Sequence, residues 1–90
     1  MKLEVLTPEK TLFKGEVESV TLPGVDGSFQ LLNNHAPIVS ALGKGAMVIK
    51  AASEDCVVEA TFNSLNREHD TTISGGVVEM SANKAIVLIQ

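Results

Sequence analysis

An aspartate, a serine and a histidine lie close together in the chain and have the residue types of a hydrolase triad. They are Asp26, Ser28 and His35. A hydrolase of that kind usually carries its nucleophilic serine in a Gly-x-Ser-x-Gly turn, which exposes the hydroxyl group. No serine of this chain has glycines at those two positions. All three candidates also fall within one small loop system, so the sequence argues against nucleophilic catalysis there.

The remaining residues that could do chemistry are isolated from one another. Cys56 is the single cysteine, which excludes an internal disulfide, and neither histidine has partners at metal-ligand spacing. A small buried apolar side chain is the simplest role for Cys56. Gly43-Lys44-Gly45 is superficially similar to a phosphate-binding loop, but it lacks the upstream glycine and the following Ser or Thr. We therefore interpret it as a turn and expect no catalytic residue, no cofactor and no metal.

The composition narrows the class of protein further. The chain has 90 residues, of which 44% are hydrophobic and 20% charged, as in a globular domain. Its net charge is -4, aromatic residues make up 3%, and Trp and Tyr are absent, which argues against nucleic-acid binding. The sequence contains no signal-peptide core and no apolar run of the ~18 residues that a membrane span needs. We expect one soluble domain over residues 1–90.

The stretch with the most turn signals runs from Gly24 to Ile38. Asp26-Gly27 predicts a two-residue hairpin turn in which both central residues have positive φ. Phe29 and Leu31 alternate with polar residues, which predicts a short strand with one buried face. Asn33-Asn34 predicts a second reversal, because Asn adopts the left-handed conformation more readily than other non-glycine residues. So many special backbone positions in a short stretch indicate a shaped surface.

Short strands separated by turn signals account for the rest of the chain. The patterns predict strands, or for 38–42 a short apolar segment, at residues 2–6, 11–14, 16–22, 38–42, 46–52, 58–62, 71–80 and 85–89. Turn signals recur at intervals of roughly ten residues, which is typical of a sandwich or barrel. No amphipathic helix of three turns is present. We therefore expect an all-β fold, a single small β-sandwich of about eight to ten short strands with no substantial helix.

Four details of these strands follow from the same patterns. A bulge near Glu18-Ser19 would bring the apolar residues on both sides of it to the core. Residues 66–70 predict a polar loop in which His69 is solvated. Gly75-Gly76 within a strand indicates a bulge, a sharp bend or the close approach of another backbone. The continuously apolar strand from Ala85 to Ile89 predicts that both of its faces are covered.

Six segments carry a more specific signal than the strand pattern. They are Leu3 to Pro8, Phe13-Lys14-Gly15-Glu16-Val17, Val20-Thr21-Leu22-Pro23-Gly24, Gly27-Ser28-Phe29, His35-Ala36-Pro37-Ile38 and Ser74-Gly75-Gly76-Val77-Val78-Glu79. Together and in this order, they resemble the ε subunit of bacterial F-type ATP synthases. The resemblance covers nearly the whole chain, apart from residues 53–70, which form a longer segment than is usual in that family.

The resemblance implies a fold and a function. In that family, a ten-stranded β-sandwich sits at the foot of the central stalk and binds the γ subunit and the c ring. It turns with them as proton flow drives ATP synthesis. The resemblance implies a non-catalytic subunit, peripheral on the cytoplasmic face of the bacterial inner membrane. Family members that bind ATP or inhibit rotation use C-terminal helices, which this sequence lacks. We therefore expect neither ATP binding nor that inhibition.

The resemblance also implies an interface with the c ring and the γ subunit. Its candidate residues are Ser28, Phe29, Gln30, Leu31 and His35. The family usually has an acidic residue in place of Ser28 and often a glycine in place of Gln30, which weakens the case for a salt bridge to the ring. For His35 two roles stay open, a structural histidine that bonds a nearby carbonyl or a member of the interface.

The family pattern differs at one further place. A Pro-Gly pair usually stands where this chain has Asn33-Asn34, although Asn34 can adopt the glycine-like backbone.

Two other functions remain as alternatives. Lys84 near a hairpin tip is similar to the modified lysine of a lipoyl carrier domain, but Asn83 stands where such domains have Asp. The second alternative is a generic protein-binding β-sandwich without a rotary partner.

Overall fold

The computed structural model describes residues 1–90 and consists of ten strands joined by turns. They are β1 Lys2–Leu6, β2 Thr11–Gly24, β3 Gly27–Leu32, β4 Ile38–Leu42, β5 Gly45–Ala51, β6 Val57–Val58, β7 Asn63–Leu65, β8 Glu68–Ile73, β9 Gly76–Ser81 and β10 Lys84–Ile89. The expected all-β sandwich is confirmed. They form one continuous sheet that folds into two layers. One layer contains β6, the first half of β2, β1, β10, β9 and β4, and the other contains β3, the second half of β2, β5, β8 and β7.

The long strand β2 belongs to both layers. Its first half pairs with β1, and its second half pairs with β5 and β3. The register with β5 shifts between Val17 and Ser19, and both Val17 and Val20 are buried, so the predicted bulge is confirmed. The prediction of two separate strands at 11–14 and 16–22, on either side of Gly15, is wrong, because β2 is continuous. Gly15 pairs with Leu3 inside the strand, and a Cβ at this position would lie 2.6 Å from Cβ of Cys56, which explains the glycine.

The core lies between the layers and comes from the inward faces of all strands except β6 and β7, together with Met1 and Phe62. Its 18 buried apolar residues are Met1, Leu3, Val5, Phe13, Val17, Val20, Leu22, Leu31, Leu42, Met47, Ile49, Ala51, Phe62, Ile73, Val78, Met80, Ala85 and Val87. Successive strand residues point to opposite faces, which explains why buried and exposed positions alternate along β9 and β10.

The segment from residue 53 to residue 70 differs most from the sequence-based expectation. The predicted strand at 58–62 is wrong, because β6 ends at Val58 and a turn closed by Phe62 N–H and Glu59 C=O follows, 3.1 Å apart. That turn brings the Phe62 ring back to the core, 6.3 Å from the ring of Phe13. The compact turn thus buries an aromatic side chain that a continued strand would not place there.

The predicted polar loop with a solvated histidine is also wrong. Residues 68–70 belong to β8, and His69 is only 7% exposed. Its ring lies 5.8 Å from the ring of Phe13, and its Nδ1 is 2.7 Å from Oγ of Ser64 on the neighbouring strand. His69 falls on the inward face of β8 together with Ile73. The hydrogen bond satisfies the polar ring edge, so the core accepts the histidine.

Two turns refine the expectations about special backbone positions. The hairpin between β2 and β3 turns at Val25-Asp26, and only Gly27 has a positive φ, of 127°. The prediction of a turn centred on Asp26-Gly27 is therefore one residue out of place. Asn34 has a φ of 62°, as its residue type predicted. The hairpin between β9 and β10 turns at residues 82–83, which also have positive φ.

The glycine pair separates two strands, so the single strand predicted over 71–80 is wrong. β8 ends at Ile73 and β9 begins at Gly76. The close backbone approach offered as one explanation for the pair is confirmed, because a Cβ at Gly76 would lie 2.2 Å from the carbonyl oxygen of Leu88. Gly76 therefore allows β9 to begin against β10.

Candidate functional site

The strand that carries most of the candidate interface residues, β3, forms an edge. It pairs only with β2. Ser28 and Gln30 are exposed, Phe29 is half-buried against the core, and Leu31 is fully buried. A partner that approaches this strand would therefore meet the side chains of Ser28 and Gln30, together with the unpaired backbone edge. Leu31 contributes to the surface only by anchoring the strand from the inside.

His35 lies in the exposed loop beyond the end of β3. Its Nδ1 is 2.7 Å from the carbonyl oxygen of Ala36, and its backbone N–H donates to Leu32 C=O at 3.2 Å. The local carbonyl contact and the exposed ring thus occur together, so both roles considered for His35 are compatible with this geometry. Ser28 pairs with Pro23 near the other end of β3. The two residues therefore do not form a nucleophile–base pair.

A second surface emerges from the outer face of the layer β1-β10-β9-β4. Leu88 lies opposite Val77 across β10 and β9, and Val77 lies opposite Ala41 on β4. Val39 is 70% exposed, Leu88 51% and Val77 41%. We call this surface the apolar face; its apolar members are Leu6, Val39, Ala41, Val77, Ile86 and Leu88, and the exposed Glu79 lies among them, between Ile86 and Val39. Its residues alternate with core residues along each strand.

The apolar face corrects the prediction that both faces of the last strand are covered. Ala85 and Val87 are buried, but Leu88 is exposed and Ile86 is only half-buried. The protein's own chain therefore covers one face of β10 and leaves the other open. Contiguous exposed apolar patches are uncommon on isolated domains and mark interaction sites.

The outer face of the other layer has a different character. Most of the residues on this face are polar or charged, among them Ser19, Thr21, Lys50, Asn63, Glu68, Asp70 and Thr72. Three apolar residues, Leu32, Ala46 and Val48, pair with residues of this set across neighbouring strands. Leu65 is 76% exposed there, but it lies on the short edge strand β7 and pairs with Glu68. The two outer faces of the sandwich therefore differ in their share of apolar side chains, which is higher on the layer that contains β1, β10, β9 and β4.

Charged side chains border the apolar face at β1 and β10. Nζ of Lys84 lies 2.9 Å from Oε2 of Glu4. The hydrogen bond and the charge of Lys84 hold the pKa of Glu4 below its usual value, with a smaller contribution from Lys14. Lys84 is the first residue of β10 rather than the tip of the hairpin. Its amine is thus engaged in an ion pair, unlike the free lysine that a carrier domain presents.

We expect the Glu4 carboxyl to titrate at a lower pH than an unperturbed glutamate. Because the folded-state pKa is lowered, the pair stabilises the fold above the unfolded-state pKa, and this contribution is lost as the pH falls through the folded-state pKa. Side-chain carbon chemical shifts followed by NMR against pH measure the midpoint. Lys84→Met is expected to raise it towards the usual value, whereas Lys44→Met, which removes a lysine elsewhere, is expected to leave it in place.

Cys56 and the remaining titratable groups provide no further reactive site. Burial, and then the neighbouring charge of Asp55, raise the pKa of the Cys56 thiol, which disfavours the reactive thiolate. No group of three His, Cys, Asp or Glu side chains has metal-binding geometry within residues 1–90.

Comparison with known proteins identifies the family to which this chain is similar. The family model described as "ATP synthase, Delta/Epsilon chain, beta-sandwich domain" matches residues 1–90. The ATP synthase epsilon chain of Chlorobium limicola is 38% identical over 89 residues, which cover 99% of this chain and 88% of that protein. That of Leptospira interrogans is 36% identical over 88 residues, and there the match covers 59% of a longer protein.

Solved structures match the fold at lower sequence identity. A chain from the central stalk and c-ring of Tetrahymena thermophila mitochondrial ATP synthase has a TM-score of 0.75 and 21% identity, covering 100% of this chain and 63% of its own. A chain of the Euglena gracilis mitochondrial ATP synthase has a TM-score of 0.76 and 17% identity, covering 97% and 48%. The present structure has no helix with the length and apolar character to cross a membrane. The full-length family match and the relatives above 30% identity place this chain in the ATP synthase delta/epsilon family, as its β-sandwich domain.

Proposed function

We propose that this protein is a non-catalytic subunit of the central stalk of a proton-translocating F-type ATP synthase. In this role it links the γ subunit to the c ring, so that rotation is coupled to ATP synthesis. It works at the membrane surface as a peripheral part of the complex, on the cytoplasmic side of a bacterial inner membrane. The proposal rests on membership of the family and on the two surfaces described above.

The observation that carries the proposal is the apolar face. A rotating stalk subunit must transmit torque, which requires a contact that does not slip. Leu88, Val77 and Val39 offer apolar contact area on one face of the sandwich, and the exposed Glu79 between Val39 and Ile86 would need a polar partner in that contact. We assign the apolar face to the γ subunit, because an apolar surface that extends over β10, β9 and β4 is suited to a lasting contact with another subunit. Burial of such side chains is the main favourable term in association.

The β3 edge and the following loop are the proposed contact with the c ring. Ser28 and Gln30 are exposed, uncharged and hydrogen-bonding, and His35 is exposed at the end of the loop. Such a surface suits the polar loops of a ring of small subunits. With Ser28 in place of an acidic residue, recognition here uses neutral hydrogen bonds, which depend less on salt than an ion pair does.

Co-purification from the native host tests the proposed function. We expect the tagged protein to bring down the γ and c subunits in constant proportion with it. Recovery of other proteins in place of these subunits would favour the generic binding sandwich. An added lipoyl mass on Lys84 would favour the carrier domain, and either result would contradict the proposal.

Ser28→Arg and His35→Ala are expected to weaken assembly without unfolding the domain. Both side chains are exposed, and surface substitutions usually change stability by no more than ~0.5 kcal/mol. We expect the affinity for the complex lacking this subunit to fall by about 5- to 10-fold for each, the equivalent of one lost interfacial hydrogen bond. Titration of the labelled protein into that complex gives the affinity.

The control for Ser28→Arg is Thr72→Arg, which adds the same charged side chain to an exposed position on the polar face. It is expected to bind as the wild type does. Wild-type affinity of both Ser28→Arg and His35→Ala would show that the β3 edge and its loop are only scaffold.

A further inference from the structure

The loop that carries His35 is joined to a hairpin far away in the sequence. The backbone N–H of Asn34 donates a hydrogen bond to Oδ1 of Asn83, at 2.7 Å. Asn83 also accepts, through its backbone carbonyl, a hydrogen bond from the N–H of Lys2 at 3.1 Å. Asn83 thus connects three elements, namely the loop after β3, the turn before β10 and the start of β1.

A second contact holds the same loop from its other side. Oδ1 of Asn33 accepts a hydrogen bond from the backbone nitrogen of Met1, whose side chain is buried in the core. Met1 nitrogen also donates to the carbonyl of Val17 at 3.1 Å. The two consecutive asparagines therefore fasten the loop to two different parts of the sandwich.

The loop has little else to order it. Residues 32–37 are all exposed, so no side chain between the end of β3 and Pro37 is anchored in the core. Within the loop, the His35 N–H bonds to the carbonyl of Leu32. Loops without buried side chains open more readily than the elements they join. The hydrogen bond from Asn34 to Asn83 is therefore a main restraint on where the His35 ring lies.

The side chain of Asn83 matters here beyond its backbone conformation. Asn83 has a φ of 57° and Asn34 a φ of 62°, values that glycine adopts without strain. A glycine at position 83 would satisfy the turn but would supply no acceptor for Asn34 N–H. Asparagine satisfies both requirements, because its amide carbonyl can reach the neighbouring loop.

We propose that Asn83 is a positioning residue for the contact surface, which it orients by holding the loop of Asn34 and His35. This inference rests on the proposed function, since it assigns the partner contact to that loop. Asn83 itself need not touch the partner. Its effect on assembly comes through the loop, whose ordering before binding reduces the entropy lost on binding.

The test compares two identical substitutions at asparagines with the same backbone geometry. Asn83→Gly keeps the turn and removes the acceptor, and Asn66→Gly is the matched control, because Asn66 also has a φ of 57° in the turn between β7 and β8. Amide hydrogen exchange in the isolated protein reports the loop directly. Asn83→Gly is expected to speed exchange of the Asn34 amide by about 3- to 10-fold, the equivalent of one hydrogen bond.

Assembly with the complex gives the second readout, from which we expect a loss of affinity of about 3- to 10-fold for Asn83→Gly and none for Asn66→Gly. Asn83→Asp keeps an acceptor oxygen and is expected to restore both slow exchange and affinity. Unchanged exchange of the Asn34 amide in Asn83→Gly would overturn the inference at once.

Two further outcomes separate this inference from the proposed function. If Asn83→Gly binds as the wild type does while His35→Ala binds weakly, the inference is overturned and the interface stands. If neither substitution changes the affinity, the proposed interface at this loop is overturned, and the role of Asn83 in assembly is overturned with it.

Discussion

Leu88→Glu is expected to prevent stable incorporation of this protein into the ATP synthase. The side chain is 51% exposed on the apolar face, with Val77 and Leu6 as its cross-strand neighbours. In a dry contact, the substitution removes the transfer free energy of a leucine and buries an unpaired carboxylate. We expect the affinity for the γ subunit to fall by at least about 100-fold, or roughly 2.8 kcal/mol.

The matched control is Leu65→Glu, which makes the same change at the most exposed leucine of the polar layer. Leu65 is 76% exposed on β7, away from the apolar face. Both variants are expected to unfold in urea within about 1 kcal/mol of the wild type, because both side chains already contact water. Equal affinity of the two variants for the γ subunit would refute the assignment of the apolar face.

Gly76→Ala is expected to cause the largest loss of stability among the glycine-to-alanine substitutions of this protein. A Cβ there would lie 2.2 Å from the carbonyl oxygen of Leu88 and 3.2 Å from its carbonyl carbon. Both atoms belong to the backbone of the paired strand β10, so no side-chain rotation relieves the clash. We expect the free energy of unfolding to fall by more than ~3 kcal/mol, as measured by urea denaturation.

Gly27→Ala separates the steric effect from backbone strain. Gly76 has a φ of 158° and Gly27 has a φ of 127°, but a Cβ at Gly27 would have no atom within 4 Å. Its substitution is therefore expected to cost only the strain of an unfavourable conformation, about 1–2 kcal/mol. A loss at Gly76 no greater than that at Gly27 would show that β10 moves aside easily, contrary to the expectation.

The two predictions concern features that differ in how far the sequence reveals them. Gly75-Gly76 indicated a bulge, a sharp bend or close backbone approach, and the structure shows close approach to the carbonyl oxygen of Leu88. The apolar face was not anticipated. The pattern from Ala85 to Ile89 predicted burial on both sides, and in the isolated chain one side is open. In the proposed assembly, the γ subunit covers the outer face of β10, so the burial that the apolar pattern predicted would come from a partner rather than from this chain.

The sequence by itself determined the fold class, most of the strands, the bulge in β2 and the left-handed Asn34. These features depend on contacts between near neighbours along the chain, where alternation of apolar residues and turn chemistry act directly. The resemblance to a known family was likewise present in short blocks such as His35-Ala36-Pro37 and Ser74-Gly75-Gly76.

Only the tertiary structure decided which residues share a surface. Alternation shows that Leu31 and Leu88 each point to one side of a strand, but not whether another element covers that side. Strand pairing determines that Leu31 is in the core and Leu88 is open, that His69 packs on Phe13, and that Asn83 reaches Asn34. The physical reason is that registers between distant strands depend on the burial of the whole core at once, which no local pattern encodes.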